Sequence, residues 1–273
     1  MTPFLKWAGG KRWFIQRYSD LLPHKYNRYI EPFLGGGSVF FYLKPKDALL
    51  GDINPDLIAA YQGLQKEWSR LQSQLEDHQQ KHSDAYYYSV RNESPADPID
   101  RAARMIYLNR TCFNGIYRVN RQGKFNVPRG SKNTVVLEND NFEEAARLLG
   151  KAQIRLVDFE KLINEAGKND LVFADPPYTV RHNFNGFIKY NEKLFSWGDQ
   201  ERLAHSLFKA RKRGAKIVCT NANHASVREL YEDCGFHFID VSRFSSISAS
   251  IKSRKQFEEL VIVSHLPKGE KKK

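Results

Sequence analysis

Asp175-Pro176-Pro177-Tyr178 stands directly after the apolar run Leu171-Val-Phe-Ala174. A carboxylate, a proline-fixed carbonyl and an aromatic ring within four residues suit one chemical task. The exocyclic amino group of adenine is a weak nucleophile, because its lone pair is delocalised into the ring. A carboxylate and a neighbouring backbone carbonyl can each accept one amino hydrogen, drawing the nitrogen toward tetrahedral geometry. Proline presents that carbonyl instead of committing it to a ladder, and Tyr178 offers a face for a flipped base. Transfer from a sulfonium is then an in-line displacement driven by positioning, with no metal. The bland alternative is a surface turn, since Asp, Pro and Tyr all suit turns. Its place at the end of an apolar strand argues against that.

Two further acids, Asp52 and Asp158, also close segments that read as strands. In an open α/β sheet, ligands sit outside the carboxyl ends of the strands. The loop Gly35-Gly36-Gly37 after Phe33 falls at the same edge, where glycine lets backbone approach a nucleotide-like ligand. An acid closing the next strand is placed to accept both ribose hydroxyls. This pattern alone leaves a nicotinamide cofactor and S-adenosylmethionine (AdoMet) both open. The contiguous glycines do not match the spaced dinucleotide fingerprint, which tilts against the former.

The elements that must position these groups alternate. Arg28–Phe33 reads as a strand, with a helix opening at Ser38, and Asp47–Asp52 as a second strand. Asn54-Pro55 caps a long amphipathic helix marked by Leu57, Tyr61, Leu64, Trp68, Leu71 and Leu75. A helix over Ile99–Asn109 and a basic hairpin, Ile116–Asn120 and Lys124–Pro128 around Gln122-Gly123, interrupt the rhythm. Strand Gln153–Val157, strand Leu171–Ala174, helix Gln200–Arg211, strand Lys216–Thr220 and helix Ala225–Glu232 resume it. Strands Phe236–Val241 and Phe257–Val263 follow without a helix between them, so they pair antiparallel. The expected fold is α/β, a mostly parallel sheet with an inserted helical and hairpin module.

Composition narrows the partners. The 273 residues carry a formal net charge of +12, which points to a polyanion or an acidic membrane surface. Arg101, Arg104, Arg110, Arg118, Arg121, Lys124, Arg129 and Lys132 fall in one stretch without an acid, which reads as a phosphate-binding run. No apolar run approaches ~20 residues and no signal-peptide core opens the chain, so a cytoplasmic protein is expected. Cys112, Cys219 and Cys234 lack metal-ligand spacing and read as buried free thiols.

Phe4–Lys11, Glu31–Ser38, Gly51–Asn54, Asn109–Gly115, Phe125–Pro128 and Asp175–Tyr178, in that order, carry a resemblance. The chain resembles the Dam family of DNA adenine-N6 methyltransferases, the D12 class: AdoMet region, target-recognition module, catalytic motif. The resemblance implies a Rossmann-like AdoMet-dependent methyltransferase fold and a double-stranded DNA substrate. It implies that Asp175, Pro176, Pro177 and Tyr178 are catalytic. It implies that Trp7, Lys11, Asp52 and Asp175 contact AdoMet, that Phe33 and Gly35 shape its pocket, and that Asp158 and Phe159 flank its adenine. Read blandly, Trp7 is a core aromatic and Lys11 a surface lysine. Lys6, Asn114, Ile116, Arg118 and Pro128 are the implied readers of DNA, and Phe113 the wedge beside the flipped adenine. An arginine can fork onto guanine, and apolar residues can pack on a thymine methyl. Arg118 is otherwise one more phosphate contact.

The expected organisation is a catalytic domain of residues 1–53 and 135–266, a recognition module of 54–134 and a basic tail of 267–273. The expected activity is methylation of adenine in GATC by a monomer. Alternatives are another adenine site within a restriction-modification system, a cytosine-N4 or RNA base target, or a DNA-binding protein without catalysis. Residues 179–186 depart from the family pattern where they should wall the flipped base, as do residues 245–254 in a family loop.

Overall fold

The computed structural model describes residues 1–120, 122–180, 195–244 and 256–265, with no account of the side chains of 243, 244 and 256–258. Expectations for residues 181–186 and 245–254, for the tail and for Arg121 therefore lie outside the described residues. Seven strands are described: β1 (Tyr29–Glu31), β2 (Ala48–Asp52), β3 (Ala152–Leu156), β4 (Leu171–Ala174), β5 (Lys216–Ala222), β6 (His237–Phe244) and β7 (Gln256–Val263). The α-helices among these residues are α1 (Arg12–Tyr18), α2 (Ser38–Leu43), α3 (Pro55–Lys81), α4 (Asp84–Asn92), α5 (Pro98–Thr111), α6 (Phe142–Leu149), α7 (Phe159–Asn164), α8 (Trp197–Lys212) and α9 (Ala225–Glu232). The architecture is α/β with a mostly parallel sheet, as expected.

The chain forms two compact units. In the first, Met1–Ile15 with Leu34–Leu156, β2 and β3 pair in parallel from Ala48↔Ala152 to Asp52↔Leu156. Asn54 starts α3 as its sequence requires: its Oδ1 accepts from the amides of Asp56 (3.0 Å) and Leu57 (3.1 Å), with Pro55 in the first turn. Asp97 and Pro98 repeat the device at α5. The apolar stripe of α3 buries Leu57, Tyr61, Leu64, Leu71 and Leu75. The helix is not one straight rod, however. Glu67, at φ −141° and ψ 51°, breaks it into two segments. Before the break, Gln62 and Gln65 donate to carbonyls of β3, Ile154 O at 2.9 Å and Ala152 O at 2.8 Å. Segment 54–134 lies wholly in this unit, together with β2 and β3.

The expected hairpin is only partly a ladder. Its arms pair at the Val119↔Phe125 bridge, with Asn120 N donating to Lys124 O and Asn126 N to Arg118 O, and a second bridge, Cys112↔Arg129, lies just outside them. Its tip is closed by Asn120, which accepts from the amides of Gln122 and Lys124 through its side chain. Between the two bridges, ahead of the expected first arm, the chain turns through Phe113–Gly115, with Asn114 (φ +56°) and Gly115 (φ +64°) both left-handed. Helix α4 has no counterpart in the sequence reading. Ser83 caps it, and only Tyr87 and Val90 are buried along it, too few to mark a face.

In the second unit, Gln16–Phe33 with Val157–Lys273, β1, β4 and β5 run parallel. Strand β7 then pairs antiparallel with both β5 and β6, the β6–β7 pairing as the sequence predicts. Buried β4 reads as a continuous apolar run, which a strand covered on both faces needs. Cys112 and Cys219 are buried, with burial pushing Cys112 up to about 11. Cys234 is only half-buried, a correction that follows from its place after α9. No described helix is long and apolar enough to cross a membrane.

Candidate active site

Of the three acids expected at strand ends, Asp52 is the last residue of β2, Asp175 follows β4 directly, and Asp158 lies two residues beyond β3. In the second unit, the neighbouring strands reach in to hold Asp175-Pro176-Pro177-Tyr178. Thr220 of β5 lies one residue past the Ala174↔Cys219 pair, and its Oγ1 donates to Asp175 Oδ1 at 2.7 Å. Tyr178 donates its hydroxyl to Glu259 Oε2 of β7 at 2.6 Å. Glu259 is 5 % exposed. Enclosure of the phenol end, then the negative charges of Asp175 and Glu259, push Tyr178 well above the usual tyrosine range. It is therefore a neutral donor at any physiological pH. Behind the motif, Thr179 Oγ1 donates to Phe195 O at 2.7 Å.

The same unit gathers aromatic residues. Phe33 stacks on Phe159 at 5.3 Å and 24°, and Phe195 sets an edge against Phe33 at 5.6 Å. The guanidinium of Arg202 lies 4.8 Å above the Phe159 ring. Asp158 has structural work here: its Oδ1 caps α7 through the Glu160 amide and accepts Arg202 Nη2 at 2.8 Å.

In the first unit, Asp52 grips the glycine loop. Its Oδ2 accepts the Gly35 amide at 3.2 Å and its Oδ1 the Asn54 amide at 3.0 Å. Burial raises its pKa above the usual 3.8, and the backbone donors offset this only in part. Gly35 has φ +46°, and a Cβ there would meet Trp7 Cδ1 at 2.8 Å. Only glycine lets the indole lie on this loop. Lys11 is no surface lysine: it is 4 % exposed and donates to Gly9 O at 2.9 Å.

The expected DNA readers also lie in this unit. Phe113 is 54 % and Ile116 41 % exposed, and Asn114, Arg118 and Pro128 are exposed too. They are held through the backbone. Phe113 N donates to Pro128 O at 2.9 Å. Buried Asn109 accepts from Lys6 N at 2.9 Å through Oδ1 and donates to Lys6 O at 2.7 Å through Nδ2, which also reaches Gly115 O at 3.3 Å. That one amide joins the N-terminal segment to the Phe113–Gly115 turn. Arg118 turns Nε onto Asn126 Oδ1 at 2.9 Å.

The acid-free basic run needs correction as a uniform phosphate surface. Arg110 is buried, paired with Asp140 (2.7 Å), and donates to Phe4 O and Val135 O. Arg104 donates to the carbonyls of Val90 and Arg91, Arg101 pairs with Asp56, and Arg129 with Asp84. These acids and carbonyls lie outside the run in sequence, so local charge counting could not reveal them. Arg118, Lys124 and Lys132 remain exposed. Sequence reasoning also passed over Thr220, Glu259, Phe195 and the clamp by Asn109. The first two sit 45 and 81 residues from their partners, beyond the reach of any local pattern.

Comparison with known proteins follows the geometry. The profile of the D12 class N6 adenine-specific DNA methyltransferases matches residues 7–247. The chain is 35 % identical to the Type II methyltransferase M1.LlaDCHI of Lactococcus lactis subsp. cremoris, over 97 % of this chain and 96 % of that one. It is 35 % identical to the Type II methyltransferase M.MjaIII of Methanocaldococcus jannaschii, over 97 % and 99 %. It is 32 % identical to the DNA adenine methylase of Haemophilus influenzae, over 96 % and 93 %. With a carboxylate and a tyrosine held at the end of β4 and this match over almost its whole length, the chain belongs to the D12 class of N6 adenine-specific DNA methyltransferases.

Proposed function

We propose that this adenine-specific DNA methyltransferase takes its methyl group from AdoMet and acts on the flipped-out adenine of double-stranded GATC. The observation that carries the reading is the Asp175 carboxylate, held by Thr220 beside a Tyr178 held by Glu259. Residues 54–134 serve as the recognition module, and the enzyme acts as a monomer in the bacterial cytosol. Support for a monomer is that one chain supplies every residue named for donor, base and sequence.

The donor residues fit a nucleoside-bearing group. In the first unit, Gly35 leaves no side chain between backbone and ligand, and Asp52 ends a strand as an acceptor for ribose hydroxyls. Trp7 and Lys11 complete that set. In the second unit, Phe33 and Phe159 offer stacked ring faces beside Asp158. When bound, AdoMet supplies a methyl group made electrophilic by its sulfonium. The rest of the chemistry belongs to the chain's own groups. Asp175 accepts one amino hydrogen of the adenine, and a carbonyl of the Pro176-Pro177 segment accepts the other. Both acceptors concentrate the lone pair on nitrogen, and Asp175 also balances the positive charge that grows there. Tyr178 stacks on the base without spending its hydroxyl, which Glu259 already occupies.

Lys6, Asn114, Ile116, Arg118 and Pro128 read the site and Phe113 fills the gap left by the base, a reading supported by their exposure. Arg118 forks onto guanine, while Ile116 and Pro128 pack on thymine methyls. Expression in a methylation-deficient host, with N6-methyladenine mapped across its genome, tests activity and target together. Modified adenine in GATC is expected. Modification in another sequence removes the GATC assignment, and an unmodified genome removes the catalytic one.

A further inference from the structure

Tyr117 sits between the readers Ile116 and Arg118, yet its own side chain turns away from them into the first unit. Its ring stacks on Trp7 at 5.6 Å and 27°. Trp7 in turn lies on Gly35, where a Cβ would come within 2.8 Å of the indole. The Tyr117 hydroxyl donates to Asp56 Oδ2 at 2.8 Å, and Arg101 holds the other oxygen of that carboxylate through Nε (3.0 Å) and Nη2 (2.8 Å). The Asp56 amide donates to Asn54 Oδ1, and the Asn54 amide to Asp52 Oδ1. Two short routes therefore run from the glycine loop and its acid to this one phenol. One is an aromatic stack, the other three hydrogen bonds through the start of α3. Burial first, then the charge of Asp56, raises the phenol's pKa, so it remains a donor.

We infer that Tyr117 is a positioning residue through which donor binding at the glycine loop and reading of the DNA sequence strengthen each other. The inference rests on the donor site proposed above. A ligand that orders Trp7 and Asp52 orders the phenol between two readers. By linkage, correct seating of the readers must favour the donor to the same degree. Tyr117 touches neither a base nor the donor in this scheme. Its side chain sets where its neighbours' side chains start.

The test uses the intact chain, sinefungin as donor analogue, and duplexes carrying the site mapped in the expression host or lacking one of its base pairs. Calorimetry gives sinefungin affinity with and without each duplex. Steady-state kinetics give kcat and KM on each. In the wild type, the cognate duplex should tighten sinefungin by about fivefold or more, the lower end of usual couplings, and the altered duplex should not. Tyr117→Leu removes both routes. It should cut that gain to below about twofold and discrimination between duplexes by about tenfold, with sinefungin affinity in the absence of DNA within about threefold of wild type. Tyr117→Phe keeps the stack and loses the Asp56 bond. It should restore most of the coupling and only part of the discrimination.

A Tyr117→Leu enzyme that keeps the wild-type gain, or that loses activity equally on all duplexes with the gain intact, overturns the inference. Should that variant not fold, Tyr117→Phe decides, and unchanged discrimination overturns the idea. A wild-type chain that binds no sinefungin sinks the donor site and this inference with it, before any variant is compared.

Discussion

The proposed catalytic motif and the proposed reading turn are held in opposite ways. At Asp175-Pro176-Pro177-Tyr178, the functional side chains themselves are pinned, Asp175 by Thr220 and Tyr178 by Glu259, from strands β5 and β7. At Phe113–Arg118, the backbone is pinned, by Asn109 and by the Phe113–Pro128 bond, while the side chains proposed to read DNA stand in solvent. A transition state has one geometry, so its acceptors repay fixing before substrate arrives. A base pair is read by whichever side chain reaches it, so a fixed backbone with replaceable side chains suits the task. The difference predicts where substitutions change rate and where they change choice.

The largest effect should come from Asp175→Ala. Labelled methyl transfer should fall by about three orders of magnitude or more, with duplex affinity in a gel-shift assay within about threefold. Comparable activity in that variant would erase the distinction between the two regions. Next come Thr220→Val and Glu259→Gln. Each loses or weakens a hydrogen bond to an ionised group, a loss of about 1.5–3 kcal/mol and so of about ten- to a hundredfold in kcat at unchanged KM. Thr220→Ser should recover most of the rate. A rise in KM alone would mean that these contacts serve binding only.

Arg118→Ala should cost about 1–3 kcal/mol of discrimination at a single base pair, with kcat on the best site nearly preserved. A uniform loss across all duplexes would make Arg118 a phosphate contact. The smallest effect concerns pH. Burial holds the folded pKa of Asp52 above its ordinary 3.8. For stability, this group's contribution is full below 3.8 and is lost as pH rises through the raised value. Sinefungin binding should run the other way, because the proposed contact to its hydroxyls needs the carboxylate. Affinity should weaken as pH falls toward that raised value, before 3.8 is reached, and Asp52→Asn should flatten the dependence. Calorimetry that finds constant wild-type affinity down to pH 3.8 would refute this.

Much of this was readable along the chain. Helix α9 spans the residues its pattern predicts, and β2 to β5 fall within two residues of their expected ends. Caps, glycine loop and the acids at strand ends are local signals, since each depends on neighbours a few residues away. The turn ahead of the hairpin was less legible, because Asn114 and Gly115 both take left-handed backbone there. Helix α4 was missed because only two buried residues mark it.

The charge run shows the boundary most clearly. Eight basic residues in one stretch could be counted, but not that Arg110 is buried against Asp140, or that Arg104 caps the end of α4. The sequence alone pointed to the reaction class, through a carboxylate, two prolines and a ring whose spacing suits that chemistry. Only the tertiary structure decided which groups hold them. Thr220, Glu259, Asn109 and Asp56 act on partners 45, 81, 103 and 61 residues away. Hydrogen bonds of that span exist only once strands and helices have packed, so no local pattern carries them.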